Sequence, residues 1–311
     1  ADIIERKVKA LAGRILGSGK RAPTLIRESA CSVPNSRNIE EDLAREGHVR
    51  RAGPGLYHLA GMCADLFNHF DSVFRDIALK VGAEEEHYPP FISVRDLKRL
   101  GFFDSTPQYA TFLTHLKEDV DQIDTFTAEV RGDQGPLIPN GHGSLAGLEY
   151  MMASTVCCHA FACRSDSTIP NSIVTARNIC TRYEGRNLAH LNRLWAFNMR
   201  EIILFGDTPK YAEDGRRCIL EETEALLQRY GLGYRVERAN DLFFNSEFGK
   251  RAEFQRGLNM KIEIRLTVPA TQRSVACASF NLHHSNFGKR NNITSPVGKP
   301  IHSACIGFGI E

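Results

Sequence analysis

The sequence lacks a strong charge of either sign. Its 39 Lys and Arg residues nearly balance 37 Asp and Glu, for a net charge of +2. A chain that grips a nucleic-acid backbone normally carries a basic excess or a basic stripe. The basic clusters here are only pairs, Lys20–Arg21, Arg50–Arg51 and Lys289–Arg290, and read as solvated surface. No apolar run reaches the ~18 residues of a transmembrane helix, and no apolar secretory segment opens the chain. The nine cysteines, Cys31, Cys63, Cys157, Cys158, Cys163, Cys180, Cys218, Cys277 and Cys305, are odd in number and never spaced as CxxC. That argues against a disulfide framework and points to a reducing cytoplasm. There is no GxxxxGK[ST] loop and no GxGxxG after a strand, so nucleotide chemistry would need another scaffold. Internal repeats and low-complexity segments are absent as well.

What is present is an ordinary globular composition, 42% hydrophobic over 311 residues, enough to bury a sizeable core. Residues 1–20 carry Ile3, Ile4, Val8, Leu11, Ile15 and Leu16 at helical spacing. Residues 21–38, broken by Pro23 and Pro34, read as a loop, so residues 1–39 form an N-terminal extension of helix plus linker. Glu40–Glu46 reads as a short helix and Gly53-Pro54-Gly55 as a turn. Apolar positions from Leu59 through Phe70 to Leu79 predict a long amphipathic helix within 57–80. His87-Tyr88-Pro89-Pro90-Phe91 must be extended, because a residue before proline avoids the helical region. Residues 171–184 and 193–206 read as two strands joined through Gly185, and 212–230 as a helix. Strict alternation from Met260 to Val268 marks the clearest strand, with further strands at 275–280 and 304–310. Strands that cluster late and helices that flank them predict an α+β fold, an antiparallel sheet covered by helices.

Several residues carry potential chemistry. Arg182 and Glu184 share a strand face. Taken alone they read most simply as a cross-strand pair on a wet sheet, but an arginine fork facing a cleft suits a phosphate or carboxylate. Cys157 and Cys158 lie in an apolar stretch beside His159, and Cys277 precedes His283 and His284. Each cysteine alone is most simply a small buried filler. Gly307-Phe308-Gly309 would let a ligand lie close to a strand backbone.

The ordered set is more specific than its parts. Tyr88-Pro89-Pro90, Arg182-x-Glu184, Met199-Arg200-Glu201, Asp241-Leu-Phe-Phe, Met260-Lys-Ile-Glu, the Ala276–His284 segment and the final Gly-Phe-Gly-Ile-Glu together resemble the three motifs of class II aminoacyl-tRNA synthetase catalytic domains. More closely, from about residue 40 to 311, they resemble amino acid:[carrier protein] ligases, short homologues of the zinc-dependent archaeal seryl-tRNA synthetases. The resemblance implies a class II synthetase-like antiparallel sheet flanked by helices and a homodimer built across the first motif. It implies a catalytic zinc held by Cys157, Glu201 and Cys277, with Cys158 the alternative to Cys157. The zinc's fourth position takes the substrate's free α-amine, with Ser279 and Asn281 lining the amino acid site. Arg182 then holds the ATP α-phosphate beside the carboxylate, Glu184 contacts adenine or the acceptor, Phe197 stacks under adenine, Arg193 approaches the outer phosphates and Mg2+ bridges them. The implied reaction forms an aminoacyl adenylate of a small amino acid, of glycine or alanine type. The aminoacyl group then passes to the phosphopantetheine thiol of a carrier protein, while near-neutral charge argues against tRNA.

The sequence departs from the family at three places. Relatives continue the third motif with an arginine, whereas this sequence reads as truncated within that motif at Glu311. Phe102–Pro107 follows the family turn loosely, and Trp195 and Asn198 match no family position. The missing arginine motivates an alternative, a non-catalytic synthetase-like binding module. A tRNA aminoacylase is the third reading.

Overall fold

The computed structural model describes residues 24–30, 39–132, 144–184, 188, 191–239, 260–269 and 273–311. In chain order the elements begin with β1 (Thr24–Ser29), α1 (Glu40–Arg45), β2 (Val49–Gly53), β3 (Leu56–Leu59), α2 (Gly61–Lys80) and β4 (Glu84–Glu85). A second group comprises β5 (Phe91–Ser93), α3 (Val94–Leu100), α4 (Phe102–Ser105), β6 (Phe112–Leu113), α5 (Val120–Gly132), β7 (Tyr150–Met152) and α6 (Cys157–Ala162). The third comprises β8 (Ser172–Thr181), β9 (Ala196–Gly206), α7 (Pro209–Arg229), β10 (Tyr234–Arg238), β11 (Lys261–Val268), β12 (Arg273–His284), α8 (Asn286–Arg290) and β13 (His302–Gly309).

Eight strands form one sheet in the order β1-β10-β11-β12-β13-β9-β8-β4, and only the β4–β8 pairing is parallel. Alternation along the strands decides its two faces. Ile202 and Leu204 of β9, Ile264 of β11, Phe280 of β12 and Ile306 and Phe308 of β13 turn to one side. There they pack against Ile77 and Ala78 of α2 and Ile219, Leu220, Leu226 and Leu227 of α7. Truncating a fully buried member such as Ile264 to Ala would cost about 2–5 kcal/mol. Their neighbours Ile203, Phe205, Val174 and Cys305 turn to the other side, under Leu97, Leu100, Phe102 and Phe161 of α3, α4 and α6. Those helices cover part of that face, and a cleft occupies it toward β11 and β12.

Local signals place these covering helices. Ser93 Oγ accepts the Asp96 amide at 3.0 Å to start α3, and Gly101, at φ +79°, ends it. Thr208 caps α7 ahead of Pro209 in its first turn.

The long helix expected within 57–80 appears as α2, the helix expected at 212–230 as α7 and the strand expected from Met260 to Val268 as β11. Residues 24–29, read as loop, instead form edge strand β1 paired to β10. Thr24-Leu25-Ile26 is apolar and β-branched enough to add to a sheet, and the flanking prolines lie outside it. The expected helix at 1–20 and the Asp241 segment lie outside the described residues. Among the described residues, no helix is long and apolar enough to cross a membrane.

Candidate active site

Glu201 lies in the middle of β9, opposite Gly307 of β13. A Cβ on Gly307 would come within 3.3 Å of a Glu201 carboxylate oxygen, so the glycine leaves room for that side chain. Two residues along β13, and therefore on the same face, stands Cys305. Cys157 opens α6 above them, its amide N–H donating to Glu201 Oε2 at 2.6 Å. One ligand atom from each of Cys157, Glu201 and Cys305 lies within 4.8 Å of the others, and all three residues are buried.

This group is electrostatically unusual. Burial pushes the Glu201 carboxyl up, while bonds from Cys157 and the charges of Arg182 and His283 pull against it. At Cys157 the bond to Cys158 pulls the thiol down, but contact with Cys305 and burial outweigh it and hold the thiol well above its ordinary value. At Cys305 contact with Cys157 lowers the thiol and burial raises it, with a net shift upward. Three buried acids this close lose their protons together only if a cation replaces them. Two thiolates and one carboxylate are a soft, tetrahedral donor set that fits zinc with one position left over. A tetrahedral site needs donor separations of about 3.5–3.8 Å, and the donor atoms here lie within 4.8 Å of one another.

Cys277 does not join the group. The pairing of β12 with β11 shifts between Ile264 and Arg265, so Cys277 is the extra residue of a bulge. Its Sγ points to the Ile264 carbonyl at 3.5 Å and its side chain packs against the core on the α2–α7 side. Burial pushes this thiol up to about 12. Of the set expected at Cys157, Glu201 and Cys277, the structure brings Cys157 and Glu201 together with Cys305 rather than with Cys277. Cys158 faces Thr155 Oγ1 at 3.2 Å. His159 stacks on Tyr88 at 5.5 Å, and burial lowers its pKa to about 4, so it is neutral at pH 7.

Ser279 and Asn281 of β12 stand beside the group: Asn281 Nδ2 lies 3.3 Å from Ser279 Oγ and 3.6 Å from Cys305 Sγ. His283, which sequence reasoning did not select, reaches Cys305 Sγ through Nε2 at 3.5 Å and Ser303 Oγ through Nδ1 at 3.2 Å. Its sign in the sequence is its place after Cys277 and beside His284 in the Ala276–His284 segment.

The second half of the cleft is built where β8 ends and β9 begins. Arg182 follows the last residue of β8; its Nε donates to the Ser154 carbonyl at 3.1 Å. Its guanidinium lies 5.4 Å from the Phe197 ring centroid and 5.8 Å from that of Tyr109. Glu184 pairs with Arg193 at 3.4 Å, not with Arg182. Asn198, unmatched in the sequence, donates its backbone N–H and its side-chain amide to the Glu311 carboxylate at 2.8–2.9 Å. Arg182, Glu184, Arg193, Phe197, Cys157, Glu201, Cys277, Ser279, Asn281 and Cys305 all line one cleft of about 1570 Å³.

No family model matches the chain. It is 26% identical over 291 residues to amino acid–[acyl-carrier-protein] ligase 2 of Bradyrhizobium diazoefficiens, covering 92% of this chain and 84% of that protein. This chain is similar to amino acid–carrier protein ligases. Ligase 1 of the same organism is 26% identical over 233 residues, 75% of this chain and 70% of its own length. The type-2 serine–tRNA ligase of Methanocaldococcus jannaschii is 23% identical over 249 residues, covering 76% of this chain but only 47% of that protein. Among solved structures, the Methanopyrus kandleri seryl-tRNA synthetase, in complex with Aquifex aeolicus tRNASec, superposes with a TM-score of 0.79 at 20% identity. That match covers 99% of this chain and 63% of the synthetase. A Naegleria fowleri serine–tRNA ligase in complex with AMP follows at 0.68 and 14% identity, covering 94% of this chain and 65% of that one. The fold is that of the class II aminoacyl-tRNA synthetases.

Proposed function

We propose that this chain activates a small amino acid with ATP and passes the aminoacyl group to the phosphopantetheine thiol of a carrier protein. The observation that carries the reading is one cleft holding two halves: a buried Cys157–Glu201–Cys305 group and, beside it, Arg182 between two aromatic rings. The two ligases of 26% identity support the acceptor.

Zinc held by Cys157, Glu201 and Cys305 would supply a Lewis-acid seat for an uncharged amine. The chain's own residues do the rest. Ser279 and Asn281 bound the amino acid beside that seat. Arg182 brings the substrate carboxylate and the ATP α-phosphate together and offsets charge that gathers on phosphorus. A carboxylate oxygen bonds to the α-phosphorus, the bond to the β-phosphate oxygen breaks, and pyrophosphate leaves toward Arg193, where Mg2+ would supply further charge neutralisation. Phe197 offers its face to adenine. In the second step a thiolate attacks the acyl carbon, the acyl–phosphate C–O bond breaks, AMP leaves, and a thioester forms. Glycine and alanine are the substrates of choice, in a homodimer built across the first motif at Tyr88-Pro89-Pro90 and in a reducing cytoplasm that keeps the thiols free.

The test is pyrophosphate exchange with zinc, magnesium and each small amino acid in turn. Exchange that depends on one or two of them is expected, and no exchange with any would end the proposal. A second reading, tRNA as acceptor, draws on the tRNA complex of the solved synthetase. Filter binding of total tRNA separates the two acceptors, since a net charge of +2 predicts weak retention.

A further inference from the structure

Trp195 is the only tryptophan in the chain, and three distant segments meet on it. Its backbone N–H donates to the Gly55 carbonyl at 2.8 Å, and its carbonyl accepts the Arg182 N–H at 2.8 Å. Its indole N–H donates to Thr111 Oγ1 at 3.1 Å, across 84 residues of sequence. Thr111 is itself fixed, because its carbonyl accepts the Met152 N–H at 3.0 Å. The hairpin of β2 and β3 fits against Trp195 only because residue 55 is glycine. At φ +65°, a Cβ there would stand 2.5 Å from the Trp195 nitrogen.

The consequence reaches Arg182 by a short path. Thr111 lies two residues after Tyr109, which ends a short 3-10 turn, and Tyr109 and Phe197 both lie within 6 Å of the Arg182 guanidinium. Met152, bonded to Thr111, leads within two residues to Ser154, whose carbonyl takes the Arg182 Nε. Tyr109, Arg182 and Phe197 line the cleft, whereas Trp195 and Thr111 do not. An arginine at a cleft wall has many rotamers, and fixing it before substrate arrives removes a cost from the reaction step.

We infer that Trp195, through its indole N–H on Thr111, is a positioning residue that holds Tyr109 and the Ser154 carbonyl against Arg182. The inference rests on the proposed activation reaction. Thr111→Val removes the acceptor while keeping the branched shape, and Thr111→Ser keeps the acceptor. In pyrophosphate exchange, Thr111→Val is expected to lower kcat by about tenfold to a hundredfold, with a much smaller change in KM for the amino acid. Thr111→Ser should stay within about twofold of wild type. Emission from the single tryptophan should shift in Thr111→Val and not in Thr111→Ser. Trp195→Phe, which keeps a ring without the donor, repeats the kcat loss if the valine variant fails to fold. Wild-type kcat in Thr111→Val, or equal losses in valine and serine variants, overturns the positioning role. A wild-type protein inactive with every amino acid overturns the reaction and this inference with it.

Discussion

Two buried charge clusters sit back to back on β9, and they are built in opposite ways. Arg200 is 3% exposed and meets carboxylates on every side: Asp71 of α2 at 2.6 Å and Glu85 of β4 at 3.2 Å. Arg75 and Arg177 pair with the same two acids. The next residue, Glu201, turns to the other face and meets two thiols and one amide N–H. In the first cluster three arginines face two carboxylates, so each acid is paired, and the cluster ties the long helix α2 to the sheet. The second has buried acids in excess and calls for a cation from solution. Charges that complete one another hold a fold, and charges left incomplete mark a binding site.

The comparison breaks most sharply at Glu201. Glu201→Ala should abolish both metal retention and amino-acid-dependent exchange while the protein stays folded, as checked by metal analysis beside circular dichroism. Arg182→Ala comes next: exchange should fall by about 10²–10³-fold with metal content unchanged. Arg200→Met tests the other side of the strand. It removes the buried partner of Asp71 and Glu85, which keep only the more exposed Arg177 and Arg75, and urea unfolding should report a loss of about 1–3 kcal/mol. The smaller effect is on pH. Cys157, Glu201 and Cys305 all stand above their ordinary values. Metal must therefore displace protons, and its affinity should rise with pH and fall on acidification. Titration calorimetry in buffers of different ionisation enthalpy reads that release, and metal binding without proton release would contradict it.

How much of this was legible in the sequence depends on how local each feature is. The helix around Leu66 and Phe70 and the strand from Lys261 to Val268 declare their periods within a few turns or pleats. β1 and β10 do not, because they are short and acquire their meaning only from each other. Arg182, Arg193 and Phe197 lie close together in sequence and line the same cleft. Glu184 lines the same cleft and pairs with Arg193. The metal side was half legible. Cys157 and Glu201 were selected, but choosing between Cys277 and Cys305 needed the strand register. A one-residue bulge turns Cys277 toward the Ile264 backbone, and two-residue alternation from Gly307 puts Cys305 beside Glu201. The Trp195–Thr111 bond spans 84 residues and leaves no local trace.

In the structure Cys305, not Cys277, completes the group with Glu201. The most direct test is zinc content of the wild type, Cys305→Ser and Cys277→Ser, each purified after equilibration with zinc. One zinc per chain in the wild type and in Cys277→Ser, with loss in Cys305→Ser, is the predicted result. Zinc kept by Cys305→Ser and lost from Cys277→Ser would contradict it.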